Sequence, residues 1–301
     1  MELWIPITIA AAFLQNLRTA AQKKLQGSLG TTGASFVRFG FGFPIAIAYV
    51  LALHFIGGRP FPELSWSFPV WALVGGVAQI AATIVLVHMF TLRNFAVGTA
   101  YSKTEPVQAA LFAFVVLGER LTPASIWAII IGVVGVMLIS VARAPLSWRS
   151  LATALLGKTA LTGILSGALF GISAVAYRSA SLSLGGEDRI MQAAMSLAVA
   201  TTLQTIIMVI WMAIRDPGEF GRVARAWRAS SIIGLASVVG SACWFTAMAL
   251  QHVAYVRALG QIELIFTFAT SIFVFKERIN VFEAAGCVLI VGGILLLLSS
   301  A

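Results

Sequence analysis

Ten runs of about twenty mostly apolar residues divide the chain, at about 4–25, 33–56, 69–90, 95–117, 122–142, 159–183, 189–214, 230–251, 254–275 and 281–300. A run of that length crosses about 30 Å of hydrocarbon as a helix. None alternates polar and apolar positions as a barrel strand would, and lipid leaves the backbone only helices or closed barrels. All ten are therefore predicted to be transmembrane helices. Turn signals separate several of them, such as Gly57-Gly58-Arg59-Pro60, Leu121-Thr122-Pro123, Gly185-Gly186-Glu187-Asp188 and Asp216-Pro217-Gly218. The first run is not expected to be a signal peptide, because it lacks a basic leading segment and carries Arg18, Lys23 and Lys24 at its far end.

Composition removes the soluble alternative that 301 residues would otherwise allow. Apolar residues make up 59% of the chain and charged residues 10%, against roughly 25% charged in soluble domains. The net charge of +9 comes from 20 Lys and Arg against 11 Asp and Glu. These cations lie scattered over loops, which points to anionic lipid and not to nucleic acid. Two cysteines, Cys243 and Cys287, both inside apolar runs, indicate neither a disulfide nor a metal site.

Shifting the chain against itself by 158 residues aligns Gly118-Glu119-Arg120-Leu121-Thr122 with Lys276-Glu277-Arg278-Ile279-Asn280. The same shift lays Glu105 on Glu263, Ala100 on Ala258 and Gly135 on Gly293. The halves, 1–145 and 146–301, hold five runs each. An odd number makes the second half enter the membrane from the opposite face. The predicted fold is an all-α integral membrane protein of ten transmembrane helices arranged as two inverted five-helix repeats. Secondary transporters are commonly built this way, with the substrate near the midplane between repeats.

The stretch Ala100 to Ile139, with Glu105-Pro106, Leu117-Gly118-Glu119-Arg120-Leu121-Thr122 and Gly132-x-x-Gly135, resembles the EamA repeat of the drug/metabolite transporter superfamily. The stretch Ala258 to Leu298, with Phe275-Lys276-Glu277-Arg278 and Gly292-Gly293, is similar to its second copy. The resemblance implies a ten-helix carrier of small metabolites such as amino acids, vitamins, polyamines, choline or drugs. Two departures stand out. Gln15-Asn16-Leu17-Arg18 replaces the Trp-Gly that many members carry in the first helix, and Leu264 stands where the first copy has Pro106.

Charge at membrane depth costs about 2.5–3.5 kcal/mol on insertion scales, so each such residue needs a reason. Glu105 and Glu263 fall near the midplane of their runs. One reading makes them structural ion pairs, for Glu105 with Lys103, Arg18 or Arg38. The other makes at least one a coupling carboxylate whose proton affinity changes as the site alternates between faces. Pro106 frees the Ser102 carbonyl, so Tyr101-Ser102-Lys103-Thr104-Glu105-Pro106 is predicted to kink beside a cavity. Arg18, on one face with Gln15 and Gln22, is a candidate carboxylate anchor. Arg38 is expected to reach the interface or neutralise a glutamate, and Arg178 and Arg257, near run ends, are read likewise. Trp244 lies deep in the eighth run and is either a substrate wall or a packed core residue; Tyr101, Tyr177 and Gln79 are weaker candidates of the same kind. Most other tryptophans sit near run ends, as interfacial anchors do. His54, His88 and His252 show no metal-ligand spacing.

No Walker, nucleophile-elbow, H-E-x-x-H or Rossmann motif is present, so no enzyme and no cofactor is expected. Twelve Lys and Arg fall in loops after odd-numbered runs, against Arg59, Arg120, Arg178 and Arg189 after even ones. The positive-inside rule then places odd loops in the cytoplasm and both termini outside, whereas the resembled family implies cytoplasmic termini. The expected function is secondary active transport of a small polar metabolite, an amino acid or similar zwitterion, by alternating access with protons as coupling ion. The expected setting is a bacterial inner membrane, as a monomer or homodimer in contact with lipid. Glu105 and Glu263 would bind the coupling ion or a cationic group, and Arg18 and Lys103 a carboxylate or a pairing partner. Tyr101, Trp244, Gln15 and Gln79 would line the cavity. The alternatives are a carrier of a cationic or vitamin-like metabolite or drug, and a non-transporting sensor or channel.

Overall fold

Helix accounts for every regular element in a computed structural model of the chain, which describes residues 2–25, 28–89, 102–141, 158–266 and 281–300. The helices are α1 Trp4–Leu25, α2 Thr31–Gly40, α3 Phe43–Phe55, α4 Phe68–Met89, α5 Glu105–Leu117 and α6 Pro123–Val141. They continue with α7 Lys158–Ser183, α8 Arg189–Arg215, α9 Gly218–Arg225, α10 Trp227–Leu250, α11 Val253–Leu259 and α12 Val281–Ser300. Five stretches among the described residues are long and apolar enough to cross a membrane: Thr32–Phe55, Phe68–Leu86, Leu161–Ser183, Arg189–Arg215 and Trp227–Leu250. Apolar side chains such as Ile206, Ile210, Trp211 and Ile214 remain exposed along α8, as lipid contact requires. The chain is an all-α, multi-pass membrane protein.

Two details depart from the ten uniform runs. The second run is broken at Phe41-Gly42 because Pro44 enters the first turn of α3 and has no N–H to continue the ladder from α2. A short helix, α9, forms within the loop after α8. Its one wholly buried carboxylate, Glu219, accepts the Gly30 N–H at 2.7 Å at the start of α2. Gly30 and Gly33 leave the room: a Cβ at either would lie 2.1 or 2.3 Å from a Glu219 oxygen. Arg222 completes the contact at 3.0 Å from Glu219 and 2.8 Å from Asp216. An anion at a helix N-terminus also meets the positive end of the helix dipole.

The Cα framework forms two compact units, Met1–Ile80 with Ala176–Gln251 and Ala81–Val175 with His252–Ala301. Each draws on both halves of the sequence; the boundary expected near 145 lies outside the described residues. In the first unit α1 packs on α10, and α8 packs on α2, α3 and α10. Asp188 caps α8, accepting from the Ile190 and Met191 N–H groups at 3.0 and 3.1 Å and from Arg59 at 2.7 Å. Burial alone would raise the Asp188 carboxyl, but these donors outweigh it and hold it below the usual carboxylate range.

In the second unit α6 packs extensively on α12. The glycines flagged by spacing make that approach possible. A Cβ on Gly135 would lie 2.7 Å from the Gly286 carbonyl oxygen, and one on Gly293 2.8 Å from that of Ala128. Small-residue contacts let membrane helices come close enough for dispersion to hold them.

Candidate functional site

Both repeats place a turn within two residues before the repeated glutamate. In the first copy Lys103 and Thr104 form a turn, and α5 begins at Glu105 with Pro106 in its first turn. The carbonyl that Pro106 leaves free, that of Ser102, leans on α7, where a Cβ on Gly167 would come within 2.8 Å of it. In the second copy α11 ends at Leu259, Gly260-Gln261 turn, and helix resumes over 262–266. Gly260 and Gln261 are the residues that the 158-residue shift pairs with Ser102 and Lys103. The missing proline of the second copy therefore does not keep that helix whole; a glycine breaks it instead.

The breaks bring four charges together in pairs within the second unit. Arg257 lies 3.2 Å from Glu105, and Lys103 lies 3.5 Å from Glu263. The side chains of Arg257, Glu105 and Glu263 are less than a fifth exposed, and that of Lys103 about a quarter. Each glutamate is thus held by a cation from the other repeat. Arg257, read as reaching the interface or neutralising a glutamate, lies in the last turn of α11 and is the partner of Glu105. Arg178 departs from expectation: it lies inside α7 and donates to the Met248 carbonyl and, at 2.6 Å, to that of Gln251, capping α10. Beside these charges Gln261 is buried among Ala128, Gly132, Ala258 and Gly293. Tyr101 lies outside the described residues, as does the second E-R turn at 276–280.

The remaining sequence candidates fall in the first unit. Arg18 is 8% exposed on α1. Trp244 is also buried, and its indole N–H donates to Gln15 Oε1 at 3.0 Å, joining α10 to α1. Gln79 belongs to a network legible only in part. Its Oε1 accepts from the Tyr177 hydroxyl at 3.2 Å and from Gln204 Nε2 at 2.8 Å, and Gln204 also donates to the Tyr177 oxygen at 3.0 Å. The Tyr177 ring lies flat on α4 because residue 75 is glycine; a Cβ there would meet it at 2.6 Å. The network forms one side of a narrow cleft lined also by Arg38 and Phe39 of α2, Thr201 of α8, and Ser237, Ser241 and Phe245 of α10. Gln204 and Ser237 went unread because a single polar residue in an apolar run carries no spacing signal. Gly260 had one, the turn-prone glycine before a repeated glutamate.

Among the described residues no group of three or more His, Cys, Asp or Glu could hold a metal ion. What the arrangement provides is polar and charged groups on broken helices at depth, the construction of a carrier site. A solved crystal structure is similar in fold: the match has a TM-score of 0.71 and 19% identity and covers 99% of this chain and 97% of that one. No curated protein matches the chain. The EamA-like transporter family matches residues 2–141 and 157–299, once in each half. Both copies of the repeat are thereby accounted for, and the chain belongs to the EamA-like transporter family.

Proposed function

We propose that the chain is a secondary active transporter of a small polar metabolite, an amino acid or similar zwitterion, coupled to protons. It would cycle by alternating access between the two five-helix repeats, with Glu105 and Glu263 as its coupling or cation-binding groups. One observation carries this reading: each repeat places a turn within two residues before the repeated glutamate, and a cation from the other repeat lies against that glutamate. A carboxylate so placed has two stable conditions, ionised beside its cation or protonated when the cation withdraws. A carrier needs such a difference to couple a proton to a conformational step, since a ligand shifts an equilibrium only by binding the two states unequally. A zwitterion suits the site because it brings one charge of each sign, able to exchange with Arg257–Glu105 or Lys103–Glu263. Arg18, Gln15, Gln79 and Trp244 of the first unit, and Tyr101, are the further substrate-binding residues of this reading.

Counterflow in proteoliposomes tests the substrate class. Vesicles loaded with an unlabelled amino-acid mixture are expected to accumulate labelled amino acids, and vesicles loaded with choline or polyamines are not. Accumulation of the cations alone would overturn the zwitterion reading.

A further inference from the structure

We propose that the segment joining α8 to α10 is a binding site for an anionic phospholipid, whose headgroup is held by Arg215, Arg225 and Arg228. Within that segment α9 is fixed by one face. Glu219 and Val223, one turn apart, are buried: Glu219 accepts the Gly30 N–H, and Val223 joins an apolar cluster with Val37, Met212 and Ile233. So anchored, α9 presents Phe220 and Arg225 outward. The two acids of the segment, Asp216 and Glu219, are both taken by Arg222, at 2.8 and 3.0 Å. Arg215, Arg225 and Arg228 remain exposed, and among the described residues none of the three has an acidic partner. The opposite end of α8, about 40 Å away at 1.5 Å per residue, carries no such excess. There Arg59 is paired with Asp188, and Arg59 and Arg189 are outnumbered by Glu63, Glu187 and Asp188.

The ligand chemistry follows from charge and depth. A guanidinium pairs with phosphate through parallel N–H···O bonds, and cations at the membrane surface are drawn to anionic lipid. Two of the three arginines lie over indole rings: Arg215 is 5.4 Å from the Trp211 centroid and Arg228 5.6 Å from that of Trp227. Exposed tryptophans at helix ends mark the headgroup level, so these stacks hold both guanidiniums at the depth of the phosphates. Arg225 Nε donates to the Gly221 carbonyl at 3.2 Å, which steadies the side chain and leaves its two terminal nitrogens to a ligand. One, two and three turns back from the end of α8, the exposed Ile214, Ile210 and Ile206 form a stripe leading to Arg215. That stripe is an apolar track for an acyl chain. A free phosphate ion would use the arginines and not the track, so the occupant is a lipid.

Thermal unfolding of the full chain in a neutral detergent tests this, with phosphatidylglycerol as probe, phosphatidylcholine as the neutral-headgroup control and glycerol 3-phosphate as the chainless one. Phosphatidylglycerol is expected to raise Tm saturably, and the two controls to leave it unchanged. In the triple variant Arg215→Gln, Arg225→Gln, Arg228→Gln the apparent affinity for phosphatidylglycerol should fall about tenfold or more. Its Tm in phosphatidylcholine should stay at the wild-type value, because all three side chains are exposed. The corresponding triple Lys variant should recover part of the response, since a point charge replaces the planar fork. Arg59→Gln, at the opposite end of α8, should keep the full phosphatidylglycerol shift. Native mass spectrometry provides a second readout: phosphatidylglycerol should remain bound to the wild type after detergent exchange and be lost from the Arg225→Gln, Arg228→Gln variant. Neither readout involves transport, so the site stands or falls apart from the coupling reading. Equal shifts by both lipids, no shift at all, or an unchanged response in the triple Gln variant would overturn the proposal. So would a shift reproduced by glycerol 3-phosphate, or a loss in Arg59→Gln as large as in the triple variant.

Discussion

Glu105 and Arg257 illustrate how a buried charge is made tolerable. Separately each would lose its hydration; 3.2 Å apart and mostly buried, they replace it with each other. Removing one partner should therefore cost more than removing both. Arg257→Gln is expected to lower thermal stability in detergent, and adding Glu105→Gln should restore most of the loss. The coupling in the double-mutant cycle should be about 1–3 kcal/mol; additive losses would show that the pair is not energetically real. Asp188 gives a second case, outside the membrane span. Its N-cap role predicts a loss of about 1 kcal/mol in Asp188→Ala. Because its folded carboxyl titrates below the unfolded one, the ionic part of its stabilisation is fully present above the unfolded value of about 3.9. That part is lost as pH falls through the folded value. The difference in Tm between the two proteins should hold at neutral pH and narrow in strong acid. A gap that widens on acidification would contradict the assignment.

Individual helices were legible where hydrophobic runs and glycine spacing set them, and hidden where a single residue decided. The α6–α12 contact follows from Gly135 and Gly293, which the repeat had already aligned. It yields a paired prediction. Gly293→Ala drives a Cβ against the Ala128 carbonyl and should cost about 1–3 kcal/mol. The neighbouring Gly292→Ala meets open space and should be neutral or stabilising by up to about 1 kcal/mol, the helix propensity of alanine over glycine. Chemical unfolding of the two variants checks this, and equal losses would sink the packing account. By contrast, the break in the second run hung on Pro44 inside an otherwise continuous apolar stretch. The burial of Glu219 hung on Gly30 and Gly33, 189 and 186 residues away, a relation no local pattern carries.

Over the whole chain the architecture was legible in the repeat, because a 158-residue shift preserves a glutamate, Glu105 with Glu263, and a glycine, Gly135 with Gly293, that lets α6 pack on α12. It did not give the ion pairs: Arg257 has no counterpart at the shifted position, where residue 99 is Thr. The pairing emerges only when the breaks at Lys103-Thr104 and Gly260-Gln261 place cations from one copy beside glutamates of the other. Inversion itself is testable with single cysteines in a Cys243→Ala, Cys287→Ala background. Leu64→Cys and Arg225→Cys, exposed in loops after the second and seventh runs, should be labelled from opposite faces. The positive-inside count places Arg225 in the cytoplasm; labelling of both from one face would end the inverted arrangement. The central claim, that repeated glutamates couple protons to transport, is most directly tested by flux into proteoliposomes under an imposed pH gradient. Wild-type protein should accumulate the amino acid that passes the counterflow test, and reversing the gradient should reverse the accumulation. Glu105→Gln should abolish gradient-driven accumulation by about tenfold or more while still allowing exchange down a concentration gradient. Unaltered gradient-driven flux in both Glu105→Gln and Glu263→Gln would contradict the account.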